Sequence, residues 1–142
     1  MWTNEYTAVS DLPAAAIWNT LKGMHEGRIT YEGADTFVLH GPFAKGTRLS
    51  VTPAGQDTFE STIVDLVDNV TYADETYFSD TKLLFRHTFV PVDGGTRVTH
   101  RLEISGPSAA QVGPELGPQI SGDFGALMTK LFELAREHAN SA

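Results

Sequence analysis

The C-terminal segment constrains the fold more strongly than any other part of this sequence. On a helix of about 3.6 residues per turn, the apolar residues between Pro118 and Asn140 fall within one arc that is about 160° wide. The members of this arc are Ile120, Phe124, Leu127, Met128, Leu131, Phe132, Leu134 and Ala135. Polar residues such as Lys130 and Glu137 fall on the opposite side. A face of this width needs a broad apolar partner, so we expect a long helix that packs on a sheet.

The chain before this helix reads as a series of strands. Short alternating stretches separated by turn residues predict strands at residues 2–9, 36–39, 47–52, 58–67, 70–79, 81–92 and 96–105. Most consecutive strands are linked by only a few residues, and such short links join antiparallel neighbours. A parallel sheet with helical crossovers is therefore excluded, and the sequence indicates one antiparallel sheet.

Two further segments connect these elements. Ser10 or Asp11 can cap a helix and Pro13 suits a first helical turn, so a short helix is predicted at residues 14–24. Its apolar stripe consists of Ile17, Trp18, Leu21 and Met24. Residues 106–118 hold three prolines and three glycines. We therefore expect a loop or a broken helical turn between the last strand and the long helix.

The predicted elements define one architecture. A length of 142 residues fits a single domain, residues 1–142, with a sizeable core. The expected class is α+β, in which a curved antiparallel sheet of about seven strands wraps around the long C-terminal helix and a short helix follows the first strand. A large sheet twists and curls. Its concave face leaves room beside the helix wherever large side chains do not fill it, so an internal cavity is expected.

Charge and composition argue against several classes of function. The net charge is −8, which disfavours nucleic acid as a partner because phosphates need a basic patch. The sequence has no cysteine, which excludes disulfides and thiolate chemistry. The first residues lack the basic region and apolar core of a secretory signal, and no apolar run is long enough for membrane insertion. We therefore expect a cytoplasmic protein, either a monomer or a homodimer.

Several short segments occur in an order that resembles a known superfamily. They are residues 41–47 (GPFAKGT), residues 93–99 (DGGTRVT), Gly106-Pro107 after the last strand, and the C-terminal helix. In this order and spacing, which cover nearly the whole chain, the sequence resembles the START-like, or Bet v 1-like, superfamily with its helix-grip fold. Within that superfamily it is similar to the polyketide cyclase/dehydrase and lipid-transport branch.

The resemblance carries expectations about function. It implies an internal apolar cavity, no obligatory cofactor, and a role somewhere between lipid carriage and cyclisation. Catalytic residues vary among members of the superfamily, so the resemblance assigns no catalytic residue to this chain. Candidates for the site must therefore come from the residues themselves.

The hairpin around Asp93-Gly94 gives the most specific candidates. If these two residues form a type I′ turn, Val92 opposes Gly95, and His87 opposes His100 on the neighbouring strand. The face that carries both histidines is otherwise apolar, with Leu83, Phe85, Phe89, Val98, Leu102 and Ile104. Cross-strand partners on one face are close neighbours. The sequence therefore predicts two imidazoles side by side on the face of the sheet that meets the helix.

Three interpretations of this pair stay open. The histidines can be hydrogen-bonded core residues without chemistry, polar anchors for a ligand in an apolar cavity, or acid/base groups, since imidazole titrates near neutrality. A metal site is not predicted, because zinc needs at least a third protein ligand and no motif supplies one. We expect both imidazoles to be neutral at neutral pH, because burial and a second cation nearby both disfavour the charged form.

Other candidates line the same predicted interior. Tyr72 could donate a hydrogen bond to a ligand carbonyl, so it joins His87 and His100 as a candidate catalytic residue. The candidate ligand-binding residues are Trp18, Phe85, His87, Phe89, Val98, His100, Leu102, Phe124, Leu127 and Met128. His25 and His40 are predicted to be exposed. The alternation of residues in the strand that contains Asp74 is ambiguous, so the face of the sheet on which the Asp74 side chain lies is left open.

These observations support functions of three different classes. The first is binding of a hydrophobic small molecule, lipid- or polyketide-like, in an internal cavity. The second is a cyclase/dehydratase-type enzyme without a metal or nucleotide cofactor, in which His87 or His100 is the acid or base and a tyrosine polarises a carbonyl. The third is a protein-interaction module resembling chaperone cofactors. A closed apolar cavity with one polar cluster favours the first two, whereas an exposed apolar patch favours the third.

Overall fold

The structure is a computed structural model that describes residues 1–140. Its strands are β1 (Trp2–Ser10), β2 (Thr36–Leu39), β3 (Arg48–Thr52), β4 (Phe59–Val67), β5 (Thr71–Phe78), β6 (Thr81–Val92) and β7 (Gly95–Ser105). Its helices are α1 (Ala14–His25), α2 (Ala109–Ser121) and α3 (Phe124–Asn140). The strands predicted from alternation are all present, and their boundaries differ by a residue or two.

All the strands form one antiparallel sheet in the order β1-β7-β6-β5-β4-β3-β2. The helices lie on one face of this sheet: α2 contacts β1 and β7, while α3 contacts α1 and β1. The predicted α+β helix-grip architecture is therefore confirmed. Among the described residues, no helix is both long enough and apolar enough to cross a membrane.

The β6–β7 hairpin has the predicted register with a different turn. Val92 pairs with Gly95, and His87 pairs with His100. Of the two turn residues, Gly94 has φ 77°, whereas Asp93 is not in the positive-φ region. A type I′ turn needs positive φ at both residues, so the expected turn type is wrong. The register survives because it depends on the two-residue length of the connection, which both turns share.

The C-terminal region departs from the prediction. Residues 106–118 were expected to be a loop or a broken helical turn, but most of them belong to a regular helix, α2, which contains Pro114 and Pro118. Each proline lacks an N–H and removes one helical hydrogen bond. Both prolines are exposed, so water can reach the carbonyls that they leave without partners. Packing of the other face of α2 against the sheet offsets the low helix propensity.

Glycines give α2 its close approach to the sheet. A Cβ atom at Gly113 would lie 2.4 Å from Trp2 Cβ, and one at Gly117 would lie 2.3 Å from the Trp2 ring. The spacing of four residues places both glycines on the same side of the helix. The Trp2 side chain therefore lies flat on a glycine surface of α2. The helix ends at Ser121, and the predicted continuous helix is interrupted at residues 122–123 before α3 begins.

The apolar arc of α3 is confirmed with one exception. Phe124, Met128, Leu131, Leu134 and Ala135 are buried. Leu127 was predicted to be buried and to bind ligand, but it is 37% exposed. Leu127 and Leu134 are two helical turns apart on the same side of the helix, so periodicity could not distinguish them. The difference therefore arises from tertiary packing, which helical periodicity does not describe.

Two apolar clusters fill the interior between the sheet and the helices. The main cluster lies under α1 and α3, and its buried members include Trp18, Tyr72, Phe89, Val98 and Met128. The second cluster, here called the α2 cluster, consists of Leu83, Leu102, Ile104, Ala109 and Phe124, with Trp2, Phe85, Leu116 and Ile120 packed against it. Along β6 and β7, His87 and His100 separate the residues of one cluster from those of the other.

Candidate functional site

Polar aromatic side chains form a row across the concave face of the sheet. Tyr72 on β5 pairs with His87 on β6, His87 pairs with His100 on β7, and His100 pairs with Tyr6 on β1. Cross-strand partners point to the same face. The neighbouring rows on either side are mostly apolar, with Phe89 and Val98 on one side and Phe85 and Leu102 on the other. The row is therefore a polar line within an apolar surface.

The central histidines of the row are in contact and lack hydrogen-bond partners. Their ring centroids are 4.3 Å apart, and the ring planes meet at 86°. His87 Nδ1 and His100 Nε2 are buried atoms without a hydrogen-bond partner. Buried polar atoms in native structures are nearly always paired, and an unpaired one costs about 1–3 kcal/mol. Two such atoms on adjacent rings form a polar spot that the protein's own side chains and backbone leave without hydrogen bonds.

His87 keeps some accessible surface although it lies on the covered face of the sheet. His87 lies on a central strand, on the covered face, and protein surrounds it. Even so, His87 and its strand neighbour Phe85 are only partly buried, whereas His100 is 5% exposed. A side chain in this position keeps accessible surface only if the helices do not fill the adjoining volume. The partly buried Leu116 and Ile120 of α2 pack against the same apolar cluster as Phe85.

A buried carboxyl group lies at the inner end of the row. The Tyr72 hydroxyl donates a hydrogen bond to Asp74 Oδ2 at 2.7 Å. Tyr72 is 0% exposed and Asp74 is 7% exposed. Burial raises the pKa of Asp74 to about 6, although the hydrogen bond from Tyr72 lowers it in part. Burial, and then the charge of Asp74, raise the pKa of Tyr72 well above its usual value. This carboxyl group therefore changes its protonation state close to neutral pH.

The three interior histidines are neutral at neutral pH, as expected for the pair. Burial lowers the pKa of His100 to about 4. Burial, followed by the proximity of His100 and His25, lowers the pKa of His87 well below its usual value. Burial also lowers the pKa of His25 to about 4, although its hydrogen bond to Leu21 raises it in part. Each neutral ring carries one N–H donor and one nitrogen acceptor.

His25 was predicted to be an exposed loop residue, and this prediction is wrong. It is the last residue of α1 and is 4% exposed. Its Nδ1 donates a hydrogen bond to the Leu21 carbonyl at 2.8 Å, and its ring lies 4.6 Å from the Tyr72 ring, centroid to centroid. The spacing Ile17, Leu21, His25 continues the buried stripe of α1 by a further turn. That spacing was the signal in the sequence. His40, in contrast, is exposed as predicted.

The structure distributes the other sequence candidates between the two clusters. Trp18, Phe89, Val98 and Met128 belong to the main cluster. Phe85, Leu102 and Phe124 belong to or pack against the α2 cluster. Phe124 also meets His100 edge to face, with the ring centroids 6.1 Å apart. Leu127 is the candidate that the structure does not bring to this region. The role of all these candidates in ligand binding stays a prediction.

Asp74 is a residue of the site that the sequence did not assign. The two residues at positions 79–80 connect β5 to β6, so Phe78 pairs with Thr81, and Asp74 pairs with Phe85 on the concave face. Counting back along β5 from that short connection shows that the Asp74 side chain lies on the same face of the sheet as Phe85. Asp65, on β4, pairs with Ala73 after a register shift between Ile63 and Asp65. That irregularity places Asp65 on the convex face, where it meets Arg86 at 2.8 Å.

Two depressions of the described surface lie away from this row. One, of about 340 Å³, lies between the β5–β6 turn and α2 and is lined by residues that include Asp80, Leu83, Ser108 and Leu116. The other, of about 470 Å³, lies along α3. Both are open to solvent, and neither includes the histidine pair. Within residues 1–140, no three acidic or histidine side chains are grouped so that they could hold a metal ion.

Comparison with solved structures gives the fold a name. The StfQ di-domain ARO/CYC from the steffimycin biosynthetic pathway matches with a TM-score of 0.75 at 15% identity, over 97% of this chain and 51% of that chain. Norcoclaurine synthase from Thalictrum flavum matches with a TM-score of 0.68 at 12% identity, over 96% and 87% of the two chains. Ara h 8.0201 matches with a TM-score of 0.68 at 16% identity, over 99% and 98%.

These structures share the helix-grip, Bet v 1-like fold, and this chain has the same fold. By sequence, no protein-family model matches the chain and no functionally curated protein matches it. At such low identity the comparison establishes the architecture alone. What the chain does must therefore be argued from its own side chains.

Proposed function

We propose that this protein binds an uncharged, hydrophobic small molecule, lipid- or polyketide-like, between the sheet and α2, with a polar group of that molecule at His87 and His100. The observation that carries the proposal is the pair of unpartnered buried nitrogens, His87 Nδ1 and His100 Nε2, on an otherwise apolar face. A ligand hydroxyl both donates and accepts a hydrogen bond, so one such group can serve both nitrogens. A ligand carbonyl can serve whichever nitrogen carries the proton.

The charges around the site favour an uncharged ligand. Of the described residues, those on the concave face of β4 to β7 include no lysine or arginine. Arg86 and Arg101 point to the convex face, where they pair with Asp65 and Glu5. The histidines that remain in the interior are neutral near pH 7. An anionic head group would therefore lose its hydration without gaining a cation, which is costly.

The fold supports the same proposal by analogy. One structure with this fold is a norcoclaurine synthase variant in complex with a transition state analogue, with a TM-score of 0.70 at 14% identity. That protein therefore accommodates a small molecule within the shared architecture. The ligand of this chain is a separate question, because the resemblance extends to the fold only.

A matched pair of probes tests the proposal. Naphthalene and 2-naphthol share their apolar rings and differ by one hydroxyl group. We expect 2-naphthol to bind more tightly, by roughly 3- to 10-fold, because a hydrogen bond contributes about 0.5–1.5 kcal/mol. In His100→Phe this preference should disappear while naphthalene still binds. Fluorescence titration of the wild type and the variant measures both affinities.

A variant away from the row serves as the control. His40→Phe also removes an imidazole, but from an exposed position, and should keep the preference for 2-naphthol. Equal affinities of the two probes for the wild type would contradict the role of the histidine pair. Native mass spectrometry of freshly purified protein complements this test, since a co-purifying neutral ligand would reveal the natural chemical class.

A second function, acid/base catalysis of the cyclase/dehydratase type, is favoured by one specific observation. Asp74 is a buried carboxyl group whose pKa lies near neutrality, and it accepts a hydrogen bond from Tyr72. A catalytic base works best when its pKa is near the working pH. The sequence suggested His87 and His100 for this role, but burial lowers the pKa of both, and that of His100, at about 4, lies below that of Asp74.

A simple carbon acid tests for such a base. In 5-nitrobenzisoxazole, removal of the ring C–H proton breaks the N–O bond and gives a coloured cyanophenolate, with no other reactant. We expect the wild type to accelerate this elimination, with activity rising through about pH 6 as Asp74 ionises. Asp74→Asn should abolish the acceleration, and Tyr77→Phe, on the exposed side of the same strand, should retain it. Activity that persists in Asp74→Asn would exclude this carboxyl group as the base.

A further inference from the structure

The outer edge of β1 is a long, regular strand edge. Among residues 1–140, β1 is the last strand on its side of the sheet, and β7 is the strand that pairs with it. The register with β7 is continuous from Trp2 to Ser10, without a bulge. Residues 3–7 are all exposed, including those whose side chains lie on the concave face. The helices therefore do not cover this part of the edge.

The backbone groups on this edge point away from the sheet. The Phe89 N–H donates to the Val70 carbonyl at 2.8 Å, on the β5 side of β6. In an antiparallel pair, residues alternate between directing both backbone groups at the partner strand and turning both away from it. Phe89 therefore turns away from β7, its partner Val98 bonds to Ala8, and every second residue of β1 points outward. The residues with outward N–H and C=O groups are Thr3, Glu5, Thr7 and Val9.

This strand has few of the features by which proteins protect a sheet edge. Protected edges are very short or carry lysine, proline or a bulge. The opposite edge strand, β2, has four residues, whereas β1 has nine and contains no proline, glycine or lysine. The charged residue of β1 is Glu5, whose carboxylate pairs with Arg101 at 2.7 Å and whose N–H donates to Asn4 Oδ1 at 3.0 Å. An edge of this kind is a template for another strand.

We propose that β1 pairs in the antiparallel direction with β1 of a second copy of this chain, so that one sheet continues across a two-fold axis. When all nine residues overlap, Tyr6 lies opposite the partner's Tyr6, and Glu5 lies opposite the partner's Thr7. Glu5 and Thr7 both have outward backbone groups, so this register forms regular hydrogen bonds. A register with Glu5 opposite its own copy would place like charges face to face, which is unfavourable.

The pairing also covers apolar side chains that are exposed in the single chain. Tyr6 is 42% exposed and Val9 is 59% exposed. In the proposed register the two copies of Tyr6 cover each other, and Val9 lies opposite the partner's Thr3. Removal of apolar surface from water favours association.

A depression along α3 lies beside the same edge and enlarges the interface. A Cβ atom at Gly125 would lie 3.3 Å from Tyr6 Cε2, and Arg136 pairs with Asp11 just after β1. Residues 125, 129, 132 and 136 share one side of the helix, so this side follows the strand. The depression, of about 470 Å³, is lined by Thr129, Phe132, Glu133, Arg136 and Glu137. Because this lining carries both acidic and basic groups, two copies can face each other without a one-sided charge.

Charge substitutions at position 7 test this register. Thr7→Glu places a carboxylate opposite Glu5 of the partner subunit, twice in each dimer, whereas Thr7→Lys places an ammonium group there. We expect the wild type to sediment at twice 15.4 kDa at high protein concentration and to dissociate on dilution. The dissociation constant of Thr7→Glu should exceed that of Thr7→Lys by roughly tenfold or more, and the difference should shrink in about 1 M salt. Sedimentation velocity over a concentration series measures these constants.

The other edge strand provides the matched control. Thr36 is an exposed threonine of β2, so Thr36→Glu and Thr36→Lys change the net charge by the same amounts. Their dissociation constants should differ far less than those of the position 7 variants. Both position 7 variants lose the same contact with Thr99, so that loss cancels in their comparison. A wild type that stays monomeric at millimolar concentration, or a dimer that responds to position 36 and not to position 7, would overturn the proposal.

A cysteine at position 6 tests the position of the two-fold axis. The chain has no cysteine, so Tyr6→Cys can form a disulfide only with a second copy. Directly opposite residues have Cβ atoms about 4.5–5.5 Å apart, close to the distance that a disulfide spans. We expect mild oxidation with diamide to cross-link Tyr6→Cys much faster than Val38→Cys, which introduces an exposed thiol on β2. Equal cross-linking rates for the two variants would contradict pairing through β1.

Discussion

Replacing His100 by phenylalanine should stabilise the protein, and the gain should grow as the pH falls. At neutral pH, the change removes a buried nitrogen without a partner and keeps a ring of similar size in the apolar interior. An unsatisfied buried polar atom costs about 1–3 kcal/mol. We therefore expect the free energy of unfolding of His100→Phe to exceed that of the wild type by about that amount at pH 7.

The pH dependence follows from the pKa of His100. Its value is about 4 in the folded protein and 6.5 in the reference state. Between these values the unfolded chain binds a proton at His100 that the folded protein does not. The contribution of neutral, buried His100 to the free energy of unfolding is therefore fully present above pH 6.5 and is lost as the pH falls toward 4. A shift of this size corresponds to about 3 kcal/mol. His100→Phe lacks this loss. The difference in free energy of unfolding between the variant and the wild type should therefore increase by about 3 kcal/mol between pH 6.5 and pH 4.

Urea denaturation at a series of pH values measures this difference directly. His25, His87 and Asp74 are present in both proteins, so their contributions largely cancel when the two curves are subtracted. Removal of His100 also makes His87 easier to protonate, which acts in the same direction. The exposed His138 provides the control, and His138→Phe should follow the wild-type curve. If His100→Phe and the wild type lose stability in parallel between pH 6.5 and pH 4, the assignment of His100 as a buried neutral residue is refuted.

The remaining predictions concern the buried acid and the helices. Asp74→Asn should stabilise the protein by a few kcal/mol above pH 6, where the buried carboxylate is ionised, and the gain should vanish toward pH 3.8; urea denaturation that shows no gain at pH 8 would contradict this. Leu131→Ala should cost about 2–5 kcal/mol, because Leu131 is 3% exposed, and a cost below about 0.5 kcal/mol would mean that α3 does not pack there. Gly117→Ala should cost about 1–3 kcal/mol in thermal or urea unfolding despite its better helix propensity, since the added Cβ meets the Trp2 ring. In a Trp2→Ala background the same substitution should become neutral or stabilising, and an equal cost in both backgrounds would remove Trp2 as the cause.

Local features of the sequence determined the sheet and the histidine pair. The connection between β6 and β7 is so short that one register follows from it, and this register places His87 opposite His100 even though the turn type differs from the expected one. Alternation identified the strands, and the wide apolar arc identified α3 and the side of it that is buried. These predictions succeeded because each depends on residues that are neighbours in the chain.

Other features depended on contacts between distant parts of the chain. Prolines and glycines predicted a loop or a broken helical turn at residues 106–118, but the full helix α2 forms there because Trp2, more than a hundred residues earlier, packs against its glycines. His25 is buried because β5 brings Tyr72 next to the end of α1.

The row from Tyr6 to Asp74 combines three strand pairings, between β1 and β7, β7 and β6, and β6 and β5. The sequence by itself determined which residues share a face of a strand or helix, because side-chain direction has a period fixed by the backbone. Whether that face is covered, and which polar groups meet beneath the cover, was decided only by the tertiary structure, because burial depends on elements that the chain brings together from far apart.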